Sequence, residues 1–348
     1  MGLEEKVFVL AKIYERGAAM VFKDKLKEKR VEAGLSQVEL AAKVGVSSRT
    51  IQNYELGQRR PANIEIVQKL AEALNTTTEV LLGSSGMYVM DAKEKGGAKS
   101  ARDIEDLVGE VTGLFAGGKL NDDALDGAMK ALNDAYWIAK EKNKKYTPKK
   151  YRKGELKDES VLIMGHHRCL YYAYKGGGIM SADYLSKVGL SLVRQCETRD
   201  PIKIAKQIGV EVMFCENFGP LKGMYRVIKR NRFIFLNCDL DERMMRIVCA
   251  HELGHDQLHR ALGKGNGLQE FMLYDMTSVP EYEANIVASE ILIDNDELLE
   301  YIYRYRYSAE QIARQMNTDI NLVALKIAHL NELGYDLRPI DHRSDFLK

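Results

Sequence analysis

Two histidines four residues apart, His251 and His255, stand in VCAHELGHDQLH at residues 248–259, with Glu252 directly after the first. On an α-helix, positions i and i+4 lie about 40° apart, so both imidazoles can face one cation. Glu252 is rotated by about 100° from His251, beside such an ion but not on it. That is the place of a general base for a water activated by the metal. HELGH fixes only three positions and arises readily by chance, so its surroundings must decide. The preceding MMRIVCA is apolar on one helical face, and a buried face does not collect two histidines and a glutamate without partners. Gly254 costs roughly 1 kcal/mol in a helix interior, which implies that something packs closely there.

Such an ion needs a third ligand. His259 lies about 6 Å further along the helix axis than His255, and the spacing is not the H-E-x-x-H-x-x-G-x-x-H of metzincins. An orienting or structural role is expected for it. Downstream, EYEANIVASE (residues 281–290) offers three carboxylates. Taking Ala284, Val287, Ala288 and Ile291 as the apolar stripe, Glu283 sits at its edge and Glu290 two turns on. Glu281 is read as facing away. The expected third ligand is Glu283, then Glu290.

The elements that must hold these groups are legible by pattern. DPIKIAKQIG is a capped short helix, VEVMFCE a strand, and GMYRVIKRNRFIFLN two strands around a KRN turn. DLDERMMRIVCAHELGHDQLHRAL is a long helix with an Asp-rich start, and VPEYEANIVASEILI a helix with Pro in its first turn. The predicted organisation is a short amphipathic helix at 1–19, a helical domain at 20–84, a linker with a helical hairpin and a basic run at 85–178, and a C-terminal domain at 179–348. GSSG and KEKGGAKSA read as linker. YIYRYRYS (301–308) reads as a surface turn or helix, and SAEQIARQMNTDINLVALKIAHLNELG as a packed helix pair despite its helix-turn-helix spacing. GHHRC (165–169) is rejected as a ligand set, because adjacent histidines point apart.

The helical domain contains SQVELAAKVGVSSRTIQNYE. Ser36 and Glu39 form a capping box, Gly45 suits a positive φ at a turn, and Ser47 can cap the next helix. Ala41 is small where helices cross. Leu40, Val44, Ile51 and Tyr54 form a shared core. This is the pattern of a helix-turn-helix.

Residues 22–83 resemble the XRE/lambda-repressor-like family. The resemblance implies a five-helix DNA-binding domain that engages double-stranded operator DNA. In it Gln37 lies near a phosphate, and a recognition helix presents Ser48, Arg49, Gln52 and Asn53 to the major groove. Arginine suits guanine and asparagine adenine. Arg59 and Arg60 are read as phosphate clamps. Residues 1–85 carry 13 Lys/Arg against 11 Asp/Glu, a weak excess, so affinity is expected to lean on a homodimer at two half-sites.

Residues 196–295 resemble the ImmA/IrrE family of metallopeptidases, through the strand pair, HELGH followed by LH, and the downstream E-A-N. That resemblance implies zinc held by His251, His255 and Glu283, with Glu252 as base; manganese suits the same ligands. It also implies cleavage of a helix-turn-helix repressor. Asp256 and Gln257 depart from the family by replacing apolar residues. The expected fold is thus mainly α with a small β-sheet: a five-helix DNA-binding domain, a helical linker region and an α+β zincin-like metallopeptidase domain. The expected function is a DNA-binding transcriptional regulator whose peptidase cuts a repressor, in trans or its own N-terminal domain. The alternative is a non-catalytic repressor or antitoxin-like regulator whose peptidase fold senses a signal or partner.

Composition agrees with a globular regulator. A net charge of +1 over 348 residues excludes a chain that binds nucleic acid by bulk charge. Five cysteines without a C-x-x-C pair suit a reducing cytoplasm. No segment has the length of a membrane span, so no membrane partner is expected.

Overall fold

The computed structural model describes residues 22–115, 122–145, 180–261, 263 and 278–338. The predicted N-terminal helix, most of the basic run and GHHRC lie outside them. The chain divides into two compact units, residues 1–134 and 135–348.

The first unit begins with α1 (residues 22–32), α2 (Gln37–Val44), α3 (Ser48–Glu55) and α4 (Ile64–Ala73). The predicted capping box on Ser36 and Glu39 is present, Gly45 has φ +78°, and Ser47 caps α3 through the Thr50 N–H. Leu26, Leu40, Val44, Ile51, Tyr54 and Leu70 are buried together as the bundle core. α5 (Thr78–Phe115) supplies the fifth helix through Leu81 and Leu82 and then continues.

GSSG and KEKGGAKSA, expected to be linker, are helical. Their glycines mark two breaks inside α5, at Gly83 (φ +66°, ψ 167°) and Gly97 (φ +75°, ψ −176°), a conformation open essentially to glycine alone. Between and after the breaks Met90, Ala92, Ser100 and Ala101 are buried, so packing overrides the turn-like composition. α6 (Asp122–Lys145) follows.

The second unit is built on a three-stranded sheet of order β1-β3-β2, with β1 (Val210–Cys215), β2 (Gly223–Ile228) and β3 (Asn231–Asn237). β1 is parallel to β3 and β2 antiparallel to it. Lys229 and Arg230 both have positive φ, at 50° and 68°, as a two-residue hairpin of the right twist requires. The central β3 runs Phe233–Leu236 fully buried. Around the sheet lie α7 (Ala182–Cys196), α8 (Pro201–Gln207), α9 (Glu242–Leu258), α10 (Val279–Leu292), α11 (Asn295–Tyr303), α12 (Ala309–Gln315) and α13 (Ile320–Glu332).

α12 and α13 repeat the local geometry of α2 and α3. Ser308 and Gln311 form a capping box, Asn317 takes φ +46° at the place of Gly45, and Asp319 caps the second helix. The Thr318 N–H reaches Ala313 O at 2.9 Å, as Val46 N–H reaches Ala41 O at 3.0 Å. Yet Ala324 and Leu325, at the positions of Gln52 and Asn53, are each 1% exposed. α13 therefore buries the positions that a recognition helix would turn to DNA. In YIYRYRYS, the ring of Tyr307 stacks on those of Tyr301 and Tyr305, which are tilted to each other, at the end of α11.

α9 and α10 cross at Gly254, the position where close packing was expected. A Cβ there would lie 2.7 Å from Ala284 Cα and 2.8 Å from its carbonyl oxygen. Backbone cannot step aside as a flexible side chain can. Gly254→Ala should therefore destabilise the chain by about 1–3 kcal/mol despite the better helix propensity of alanine, measured by denaturant unfolding; equal or higher stability would contradict this crossing.

Candidate metal centre and nucleic-acid interface

α9 is capped by Asp241, whose carboxylate accepts from the Met244 N–H, and it buries every residue from Ile247 to Asp256. α10 has Pro280 in its first turn and is buried almost throughout. Their crossing brings His251, His255 and Glu281 together, with one ligand atom from each within 4.8 Å of the others. His251 Nε2 lies 3.0 Å from His255 Nε2, and Glu281 oxygens lie 3.0 and 3.3 Å from the two nitrogens. The contact between the two imidazoles has hydrogen-bond geometry, whereas neither buried Glu281 oxygen accepts an aligned bond among the described residues.

The outer nitrogens account for this convergence. His251 Nδ1 is 2.9 Å from Asn285 Oδ1, an acceptor, so Nδ1 carries the proton and Nε2 a lone pair. His255 Nδ1 is 3.2 Å from His259 Nδ1, and His259 Nε2 is 2.9 Å from Glu283 Oε2. With Glu283 accepting from His259 Nε2–H, His259 Nδ1 accepts from His255 Nδ1–H, and His255 Nε2 also turns a lone pair inward. Glu283 is held in turn by the Met180 N–H at 2.6 Å. Two lone pairs and a carboxylate thus face one point, which repels itself unless a cation lies there. This donor set fits a divalent metal with three protein ligands.

Electrostatics agrees. Burial pushes His255 down to about 4. Burial also opposes ionisation of Glu281, but the imidazoles outweigh it and hold this carboxyl at about 2. Burial likewise works against charge on His251, yet Glu281 and Glu252 outweigh it and raise this imidazole. The cluster attracts positive charge, a proton in the bare protein or a metal ion in its place.

The structure places Glu281, not Glu283, beside the two histidines. Glu283 was expected there and Glu281 was read as facing away. At about 100° per residue, Glu281 lies about 60° from Ala284 on the helical wheel and Glu283 about 100°, so Glu281 is nearer the face that meets α9. The stripe misled because α10 is buried nearly all round, polar residues included. Glu290, the second expectation, is also elsewhere: it pairs with Lys326 Nζ at 2.6 Å and accepts from Ser186 at 2.9 Å, deep under α7 and α13. Asn285 was missed altogether; its i+4 spacing from Glu281, matching the histidine pair, was the available signal. His259 has the orienting place expected of it.

Glu252 is 2% exposed and faces the start of β2, where a Cβ on Gly223 would come within 3.4 Å of its Oε1. Asp256, the departure from apolar composition, is fully buried and satisfied by Tyr225 at 2.8 Å and Arg232 at 2.7 Å. It ties α9 to the sheet, so the helix end is secured by a polar network.

In the first unit, α3 presents Ser48, Arg49 and Gln52 to solvent, with Asn53 partly buried. Gln37 is more constrained than expected: its amide donates to Glu55 Oε2 at 2.8 Å, and Arg30 grips the same carboxylate at 2.5 and 3.0 Å. Arg59 is exposed, and Arg60 pairs with Glu105 of α5 at 2.7 Å.

Comparison with known proteins bears on both units. Residues 26–81 match a family model described as helix-turn-helix, and residues 205–327 match one described as the IrrE N-terminal-like domain. The uncharacterized immunity region protein 2 of Bacillus phage phi105 is 30% identical over 143 residues, 41% of this chain and 85% of that protein. The immunity repressor protein of the same phage is 28% identical, over 38% of this chain and 96% of its own. The HTH-type transcriptional regulator ImmR of Bacillus subtilis (strain 168) is 29% identical, over 35% and 95%. No solved structure matches. The chain joins a helix-turn-helix domain of the XRE type to a domain of the ImmA/IrrE peptidase family. The ImmA/IrrE-type domain contains a His/Glu group able to hold a metal ion, and the helix-turn-helix domain is a DNA-binding one. Among the described residues no helix is long and apolar enough to cross a membrane.

The geometry separates the two glutamates. Glu281→Gln should abolish stoichiometric metal binding, whereas Glu283→Gln, removing only the outer partner of His259, should weaken it about 10–100-fold. Competition with a chromophoric chelator measures both; the reverse ranking would restore Glu283 as ligand.

Proposed function

We propose that the chain is a DNA-binding transcriptional regulator whose ImmA/IrrE-type domain is a metal-dependent endopeptidase acting on a helix-turn-helix repressor, either a separate protein or its own N-terminal domain. The observation that carries this reading is the convergence of His251, His255 and Glu281 beside Glu252. Zinc suits two imidazoles and a carboxylate, and manganese is the alternative. When bound, the ion supplies Lewis acidity toward a scissile carbonyl and a water of lowered pKa. His251 and His255 hold their lone pairs inward through Asn285 and through the His259–Glu283 relay. Glu252 takes the proton of the attacking water and hands it to the leaving amine. The similarity to an immunity repressor and to ImmR supports a repressor as the substrate class.

On the DNA side, Ser48, Arg49, Gln52 and Asn53 read the major groove, Arg59 and Arg60 contact phosphate, and a homodimer spans two half-sites. The small charge excess of this region makes the second half-site necessary for affinity. Gln37, whose amide is held by Glu55, contacts the DNA backbone.

A specific observation favours a second reading. The three ligand side chains are no more than 2% exposed, which suits a metal or partner sensor that never cuts. Incubation of the purified chain with zinc or manganese, alone and with a repressor, separates the two. A peptidase predicts cleavage that falls about 10²–10⁴-fold in Glu252→Gln while metal content is kept. A chain that binds metal and operator, never cuts, and tolerates Glu252→Gln in cells is a sensor. For the DNA face, Arg49→Ala should cost about 1–3 kcal/mol of discrimination at one base pair; unchanged operator selectivity in competition binding would move the reading helix elsewhere.

A further inference from the structure

α5 clasps the loop after α3 and the start of α4 at three places. Lys93 Nζ donates to Ala62 O at 2.6 Å, Glu94 accepts from the Ile64 N–H at 3.3 Å, and Glu105 pairs with Arg60 at 2.7 Å. Between these contacts lies a cavity of about 200 Å³, walled by Phe22, Pro61, Leu82, Val89 and Met90. Small residues, Gly86, Ala98 and Ala101, leave the space open on the α5 side. The charged groups among the lining residues are Arg60, Lys93 and Glu105, two cations against one carboxylate.

We propose that this cavity binds a small apolar carboxylate whose charged end takes Arg60 from Glu105, and that occupancy weakens operator binding. The apolar walls give a fully hydrated ion such as phosphate nothing to bind, and a ligand needs an apolar body with one anionic end. An apolar cavity of about 150 Å³ admits benzene, so a phenyl or medium-length aliphatic carboxylate has the right size. The Arg60–Glu105 pair is half-exposed, at 45% and 37%, and such pairs are worth little, so a carboxylate fixed by apolar contacts can displace Glu105. Arg60 held inward is lost to DNA phosphate. By linkage, operator DNA must weaken carboxylate binding by the same factor.

The coupling rests on Arg60 as a phosphate contact; the site does not. The test uses the full chain and 3-phenylpropionate, with 3-phenylpropanol as the uncharged control. Calorimetry without DNA should show binding of the acid and at least tenfold weaker binding of the alcohol. Arg60→Gln and the cavity-filling Ala101→Leu should each weaken the acid by on the order of tenfold, and Glu105→Gln should tighten it. Ala98→Leu narrows the mouth from an exposed position, so it tests the site without straining the core. Saturating acid should then raise the operator Kd on the order of tenfold, an effect absent in Ala98→Leu. No binding to the unaltered chain, or binding unchanged in both filling variants while they bind operator normally, overturns the site. If Arg60→Gln leaves operator affinity and its salt dependence unchanged, the coupling and the phosphate reading fall together, and the titration without DNA still decides the site.

Discussion

The second unit is organised around an electrostatic demand. Two imidazole lone pairs and a carboxylate are forced to one point, 3.0–3.3 Å apart, in a place nearly closed to solvent. Such a cluster is unstable without a positive charge at its centre. The surroundings tighten the demand: Asn285 and His259 each fix the outer nitrogen of one ligand, so neither imidazole can relieve it by changing tautomer. The Gly254–Ala284 contact lets α9 and α10 approach closely enough for Glu281 to reach both histidines. Asp256 ties the same helix to the sheet, and Glu290 with Lys326 fixes the far end of α10 against α13. These polar contacts share one effect, which is to hold two helices in register.

The first unit follows a different logic. Its core is assembled by short-range signals, namely a capping box, a left-handed glycine and a second cap. The buried faces of α1–α4 are completed by α5. The recognition helix is left polar and exposed because its inward residues, Ile51 and Tyr54, suffice to anchor it. The contrast with α12 and α13 is instructive. They have the same caps and the same turn, but α13 buries the positions that α3 exposes. Turn geometry specifies a helix pair; burial decides whether it can read DNA.

Much of this was legible in the sequence, and the failures have physical causes. The histidine pair, Glu252, the strands, the KRN turn and the helix-turn-helix core depend on local period, capping and turn chemistry, which a sequence displays. Which carboxylate stands beside the histidines depends on which side of a helix meets its neighbour. That could not be taken from an apolar stripe on α10, because this helix is buried on all sides. The Gly-Ser and Gly-Gly stretches of α5 resembled linker by composition, yet Met90, Ala92 and Ala101 draw them into packed helix. Similarly, Gln37 was legible as a polar residue at a helix start, but its bond to Glu55, eighteen positions on, is a tertiary contact.

The proposed metal centre places a divalent ion between His251, His255 and Glu281. The most direct measurement is a crystal structure of the zinc-loaded chain with the ion located by anomalous scattering at the zinc edge. A single peak is expected at roughly 2.0–2.2 Å from both Nε2 atoms and a Glu281 oxygen, with His259 and Glu283 outside its coordination. A peak bound by Glu283 or His259, or no peak at this crossing in a chain that retains zinc, would contradict it.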